Sequence, residues 1–243
     1  AQSLSTVQDV YTELRGRNAV IFFGVSGCGK TSTAFSIARR NYCIFIDAAH
    51  SPDWVQLVPG CKTEFETRRG VQAVVYARCM VLSSLLQNPD FDMTPEKWLL
   101  MQQPNLMGQQ ENVLLRSCLQ IAGLLTKLSK QTVAANFADI MGYLHEKFSS
   151  AFVFLDESQV MAKQDVLCGE ETPRTILSIA SEEIANQSFP LLVAGTALRL
   201  KDGRSIESGI AKIPGKRVYQ YVNFKRFSSI EGAEFVRQSF PTV

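Results

Sequence analysis

The run Gly24-Val25-Ser26-Gly27-Cys28-Gly29-Lys30-Thr31 matches the pattern GxxxxGK[ST] at every fixed position. The spacing has a physical reason. Glycines let the backbone curl so that successive N–H groups from Val25 to Thr31 point into one phosphate-sized hollow at a helix N-terminus, where the helix dipole also favours negative charge. Lys30 then reaches the β- and γ-phosphates of a nucleotide, and the Thr31 hydroxyl can ligate Mg2+. The expected nucleotide contacts are Gly24, Val25, Ser26, Gly27, Cys28, Gly29, Lys30, Thr31 and Ser32, with Cys28 read as a small loop residue and not a redox centre.

A second constellation follows far along the chain, where Phe152-Val153-Phe154-Leu155 runs into Asp156-Glu157. Four apolar residues and two carboxylates fit a Walker B strand. Asp156 would hold Mg2+ through its water shell, so the metal set is Thr31 and Asp156. Glu157, on the next residue, points to the other side and can polarise a water for in-line attack on the γ-phosphate. Thr196, directly after Gly195, is placed as a γ-phosphate sensor; the plainer reading is a turn in which Thr196 caps a helix Ala197–Leu200. Arg199, one turn into that helix, or Arg226 can offset transition-state charge, a contribution of roughly 10³–10⁵ in rate. The catalytic set is thus Lys30, Glu157, Thr196 and Arg199.

These residue types also separate subclasses. No NKxD guanine-reading motif occurs, and Asp139-Ile140-Met141-Gly142 satisfies DxxG only by lying in a helical pattern. A GTPase is therefore disfavoured. A Glu directly after the strand-end Asp fits hydrolysis better than transfer to a small acceptor. The rival readings are a nucleotide-gated switch with little turnover and a small-molecule phosphotransferase. His50 and His145 have no Cys or His neighbour at metal spacing and read as surface residues, while Trp54 and Trp98 read as packing.

Positioning these groups requires buried strands that end where the polar residues begin. Ala19–Phe23, Tyr42–Ile46, Ala151–Leu155 and Pro190–Ala194 are short apolar runs of that kind, and Val218–Val222 reads as a fifth strand nearer an edge. Helices are expected up to Leu14, over Lys30–Arg40, from about Thr67, from Thr94-Pro95 onward, over Val113–Leu128 and over Val133–Phe148. Another runs from a Thr172-Pro173 cap to Gln187, and a last one is capped by Ser228 and Glu231. The class is α/β with a parallel sheet. Residues 1–227 form the core, with a helical insertion at about 65–130 between the second and third strands, and 228–243 reads as the start of a further helical segment that the sequence truncates.

The composition, 46% hydrophobic and 20% charged, is that of an ordinary soluble globular protein. No apolar run approaches the ~20 residues of a membrane span, so no membrane partner is expected. Six cysteines are scattered without CxxC or CxxH spacing, which encodes neither a zinc site nor a disulfide framework and points to an intracellular, reducing compartment. The net charge of +2 is small, but Arg199–Arg226 holds eight basic and two acidic residues, a local +6. Interleaved with Tyr219, Tyr221 and Phe224, that segment can serve nucleic acid; a solvated face, or one turned to ATP phosphates, is the simpler reading. A protein partner or a homo-oligomer also fits, since a neighbouring subunit can supply the arginine.

Gly24–Thr31, Asn41–Asp47, Trp98-Leu99-Leu100-Met101-Gln102, Phe154–Glu157, Ala194–Leu198 and Ser208-Gly209-Ile210 together resemble the P-loop NTPase region of fungal and oomycete Crinkler proteins. The likeness covers about residues 15–243. It implies an additional-strand (ASCE/AAA-like) ATPase module with sheet order 5-1-4-3-2, using ATP and Mg2+. It also implies a protein that is secreted and then acts in a host cell, often in the nucleus, as an effector. Such modules are often joined to a further N-terminal domain and to a C-terminal nuclease-like domain, and neither is visible in this sequence.

Overall fold

The computed structural model describes residues 4–16, 19–24, 27–103, 112–129, 131–133, 139–140, 143–144, 146, 151–168, 171–187, 189–196, 198–222 and 224. Val25, Ser26, Arg226 and the expected last helix lie outside the described residues, as does most of the expected helix Val133–Phe148. The elements run α1 (Leu4–Arg15), β1 (Ala19–Phe22), α2 (Lys30–Ala38), β2 (Cys43–Asp47), α3 (Pro52–Leu57), α4 (Glu64–Gln87), α5 (Pro95–Met101) and α6 (Val113–Leu125). They continue with β3 (Phe152–Asp156), β4 (Asp165–Cys168), β5 (Glu171–Thr175), α7 (Ile176–Asn186), β6 (Leu191–Ala194), α8 (Leu200–Ile210) and β7 (Val218–Tyr221).

Five strands form one sheet in the order β2-β3-β6-β1-β7, and every pairing in it is parallel. Parallel strands need crossovers, and the crossover helices cover both faces, which is why β1 and β6 are apolar throughout and β2 and β3 are apolar up to their terminal Asp47 and Asp156. On one face Ile21, Ile44, Leu155 and Val193 pack with Trp54, Val74, Leu115 and Ile179. On the other, Val20, Phe22, Phe45 and Phe154 pack with Val10 and Leu14 of α1 and with Ala34 and Ile37 of α2. No helix among the described residues is long and apolar enough to cross a membrane.

The helices α3–α6 between β2 and β3 have a specific task. β2 is an edge strand, and an edge leaves backbone groups without partners. Here side chains take them. The Cys43 carbonyl accepts from Trp98 Nε1 at 2.9 Å and from Gln102 Nε2 at 2.8 Å, while the Phe45 N–H donates to Gln102 Oε1 at 2.9 Å. Arg78 Nη1 donates to the Phe45 carbonyl. The same guanidinium forks onto Asp53 through Nε at 2.8 Å and Nη2 at 2.7 Å, with both side chains fully buried.

Local boundaries differ from the sequence reading at α4, α3 and β5, among others. α4 begins at Glu64, ahead of the apolar pattern, because Thr63 and Glu66 form a reciprocal capping box. α3 has no counterpart in the sequence pattern, since a six-residue helix carries too few turns to display a period. Thr172-Pro173 does not cap a helix: it lies in β5, which pairs antiparallel with β4, and Thr175 caps α7 by accepting from Ser178 N–H at 3.2 Å.

Arg78→Met leaves the Asp53 carboxylate buried without its cation, so unfolding in urea is expected to show a loss of about 3–5 kcal/mol. Adding Asp53→Leu removes the orphaned charge and should recover part of that loss. A single-mutant cost below about 1 kcal/mol would contradict a buried pair that seals the β2 edge.

Candidate functional site

A parallel sheet gathers the carboxyl ends of its strands on one rim, and ligands of open α/β sheets bind there. β1, β2, β3 and β6 deliver Gly24, Asp47, Asp156 and Gly195 to that rim. In the loop after β1, Gly27 and Gly29 have φ of 77° and 90°, a left-handed backbone that glycine adopts without a Cβ penalty. Gly29 is the N-cap of α2 in that conformation, so the helix starts on Lys30 and aims its first N–H groups at the rim. Lys30 is buried; its ammonium donates to the Gly24 carbonyl at 2.8 Å and lies 3.6 Å from Cys28 Sγ. Cys28 is buried, and Ser32 is exposed on the first turn of α2.

Thr31 and Asp156, 125 residues apart in sequence, meet directly: Thr31 Oγ1 donates to Asp156 Oδ2 at 2.9 Å. Asp156 Oδ1 accepts from the Glu157 N–H at 2.9 Å. Only 8% of Asp156 is exposed. Burial pushes its carboxyl up to about 6; the two hydrogen bonds oppose that rise, and the negative charges of Glu157 and Asp47 add to it. Asp47 stands in register beside Asp156 on the neighbouring strand, where its carboxylate accepts from the N–H groups of Ala49 and His50. His50 is exposed, with Nδ1 3.0 Å from Asp47 Oδ2. No cation pairs with Asp156 among the described residues.

Glu157 has φ 51°, the one left-handed non-glycine backbone among the described residues. Such a conformation costs on the order of 1–3 kcal/mol and gathers at functional turns. Its carboxylate accepts from Gln159 Nε2, and Gln159 Oε1 accepts from the Thr196 N–H at 3.1 Å. Thr196 is exposed and does not cap a helix over Ala197–Leu200; α8 starts at Leu200 with Arg199 as its N-cap. The frame is set by Asp202, whose carboxylate accepts from the Arg199 N–H at 2.7 Å, and by the buried Ile206 and Ile210. Arg199 therefore precedes the helix. Its side chain lines a cavity of about 500 Å3 with Gln159, Lys163 and Lys201, and no hydrogen bond or ion pair joins it to Lys30, Asp156 or Glu157.

The rim thus brings Lys30, Thr31, Asp156, Glu157 and Thr196 to one place, and leaves Arg199 beside it. Two participants escaped the sequence reading. Asp47 carried a signal, since β2 ends in Asp as β3 does; Gln159 carried none, because its role depends on a neighbouring strand. Thr31 and Asp156 suit Mg2+: both offer hard oxygen donors, and the buried carboxylate lacks a countercharge among the described residues. Among the described residues no three His, Cys, Asp or Glu side chains gather as a metal cage, so an ion here would complete its shell with phosphate oxygens and water.

Comparison with models of known families, with characterised proteins and with solved structures finds no match to this chain.

The Asp156 carboxyl rises from the ordinary 3.8 to about 6 on folding, so the native state binds its proton more tightly than the unfolded chain. Its contribution to stability is full below about pH 4 and is lost as pH rises through about 6, a difference of about 3 kcal/mol by linkage. In the metal-free protein Asp156→Asn is therefore expected to be more stable than the parent at pH 7.5, by about 1–3 kcal/mol. That advantage should shrink toward zero at pH 4. Urea unfolding at the two pH values checks this, and equal stability at pH 7.5 would contradict an uncompensated buried carboxylate.

Proposed function

We propose that this chain binds a nucleoside triphosphate, ATP in the first instance, together with Mg2+, and hydrolyses it to the diphosphate and phosphate. The observation that carries the reading is the Thr31–Asp156 hydrogen bond, which joins the hydroxyl of the phosphate-loop motif to the carboxylate of the second motif. The sheet order supports the additional-strand class of P-loop NTPase, because β6 lies between β1 and β3. The sequence resemblance to Crinkler NTPase regions belongs to the same proposal, with its effector role and host-cell location.

In this mechanism the N–H groups at the start of α2 bind phosphate oxygens, and Lys30 exchanges the Gly24 carbonyl for the β- and γ-phosphates. Thr31 and Asp156 would hold the metal, which would supply charge neutralisation to the phosphates. Glu157 accepts a proton from the attacking water as its oxygen bonds to the γ-phosphorus; the bond to the β-phosphate oxygen breaks, and the electron pair leaves with the diphosphate. Thr196 contacts the γ-phosphate from the end of β6. Arg199, at the start of α8, needs a shift toward the rim to offset transition-state charge.

Two variants test this. Lys30→Ala is expected to abolish Mg-ATP binding measured by isothermal titration while circular dichroism stays that of the parent; unchanged affinity removes the phosphate-loop assignment. Glu157→Gln is expected to keep affinity and lose about 10²–10⁴ in hydrolysis rate. Turnover equal to the parent's would make Glu157 structural and favour a nucleotide-gated switch.

A further inference from the structure

We infer that Gln159 is a positioning residue that sets the Glu157 carboxylate and couples it to the end of β6. The inference rests on the hydrolysis reading above. One amide spans the two sides: its Nε2 donates to Glu157 and its Oε1 accepts from the Thr196 N–H at 3.1 Å.

The geometry leaves little freedom for this bridge. The Ser158 N–H donates to the Ala194 carbonyl at 3.0 Å, so the backbone after β3 is fastened to β6 two residues past the strand. Ser158 is fully buried, and its hydroxyl donates back to the Leu155 carbonyl at 3.0 Å. Gln159 therefore starts from a fixed backbone. Opposite it is Gly195, where a Cβ would come within 2.5 Å of Gln159 Oε1 and 3.0 Å of the Gln159 backbone nitrogen. Glycine is needed at this position for the close approach of the amide. Glu157, meanwhile, leaves β3 in a left-handed turn, which leaves its side chain to be aimed by a neighbour.

The residue type is specific to the task. Glutamine presents a donor to the carboxylate and an acceptor to the N–H at opposite sides of one planar group. Glutamate has the same shape and still accepts from Thr196, but it cannot donate to Glu157 when ionised. Asparagine is a methylene too short. The consequence is a mechanical link: a displacement of the Gly195-Thr196 segment toward the γ-phosphate is transmitted through a single side chain to the group that takes the water's proton. A misplacement of about 1 Å in such a group costs up to about 10² in rate.

The test uses the full chain with Mg-ATP, measuring steady-state kcat and KM, nucleotide affinity by titration, and thermal unfolding. Gln159→Glu, which keeps the size and the Thr196 bond, is expected to lower kcat by about 10- to 100-fold while KM, affinity and Tm stay near the parent's. Gly195→Ala, which pushes the same amide aside, is expected to give the same kcat loss. The double variant should be no slower than the slower single, because both act through one bond, whereas independent effects would multiply. Unchanged kcat in Gln159→Glu, or losses that multiply in the double variant, would overturn the inference while leaving the hydrolysis reading intact. A parent that binds ATP without turning it over overturns the hydrolysis reading and this inference with it.

Discussion

Asp156 ends a buried strand with its carboxylate out of water and no cation beside it among the described residues, an arrangement that costs free energy in the folded chain. Thr31 and the Glu157 N–H satisfy its oxygens without neutralising its charge. Under the proposed function, a bound cation would offset that cost. Lys30, one residue before Thr31, contributes a cation to the loop, and a divalent ion bound between Thr31 and Asp156 would supply the rest. In the proposed reading, the same carboxylate that burdens the metal-free fold would be the source of ion affinity.

Bringing Thr31 to Asp156 is a problem of sheet order. β1 and β3 are not neighbours; β6 lies between them, so the loop after β1 must reach across the end of β6 to touch β3. That crossing places Gly195 and Thr196 under the site and gives Gln159 a partner on each side. The outer strand is held by different means. β2 must lie against β3 in register for Asp47 to stand beside Asp156, and its free edge is closed by Trp98, Gln102 and the buried Arg78–Asp53 pair. The helices after β2 thus support the rim from a distance by keeping the edge strand from pairing elsewhere.

Much of this was legible in the sequence where burial and chemistry coincide. The strands leading into Gly24 and Asp156 are apolar on both faces because helices cover both, and each apolar run stops where the polar residues must face the rim. Thr94-Pro95 marked α5 correctly, since Thr94 accepts from the Lys97 N–H and Pro95 needs no hydrogen bond there. The β4–β5 hairpin was hidden because it has few residues and exposes Leu167, so no period distinguishes it from a loop. The start of α8 was misplaced because the hydroxyl of Thr196 looks like a cap, whereas the reciprocal bond is made by Asp202. Gln159 lay beyond sequence reasoning altogether. Its partners come from two strands that are adjacent only once the sheet is built.

The most direct test of the central claim is a crystal structure of the chain with Mg2+ and a non-hydrolysable ATP analogue. The ion is expected between Thr31 Oγ1 and Asp156, with Lys30 Nζ turned from the Gly24 carbonyl onto the γ-phosphate. A nucleotide bound elsewhere, or Lys30 still bonded to Gly24 and Thr31 still donating to Asp156 with no ion between them, would contradict it.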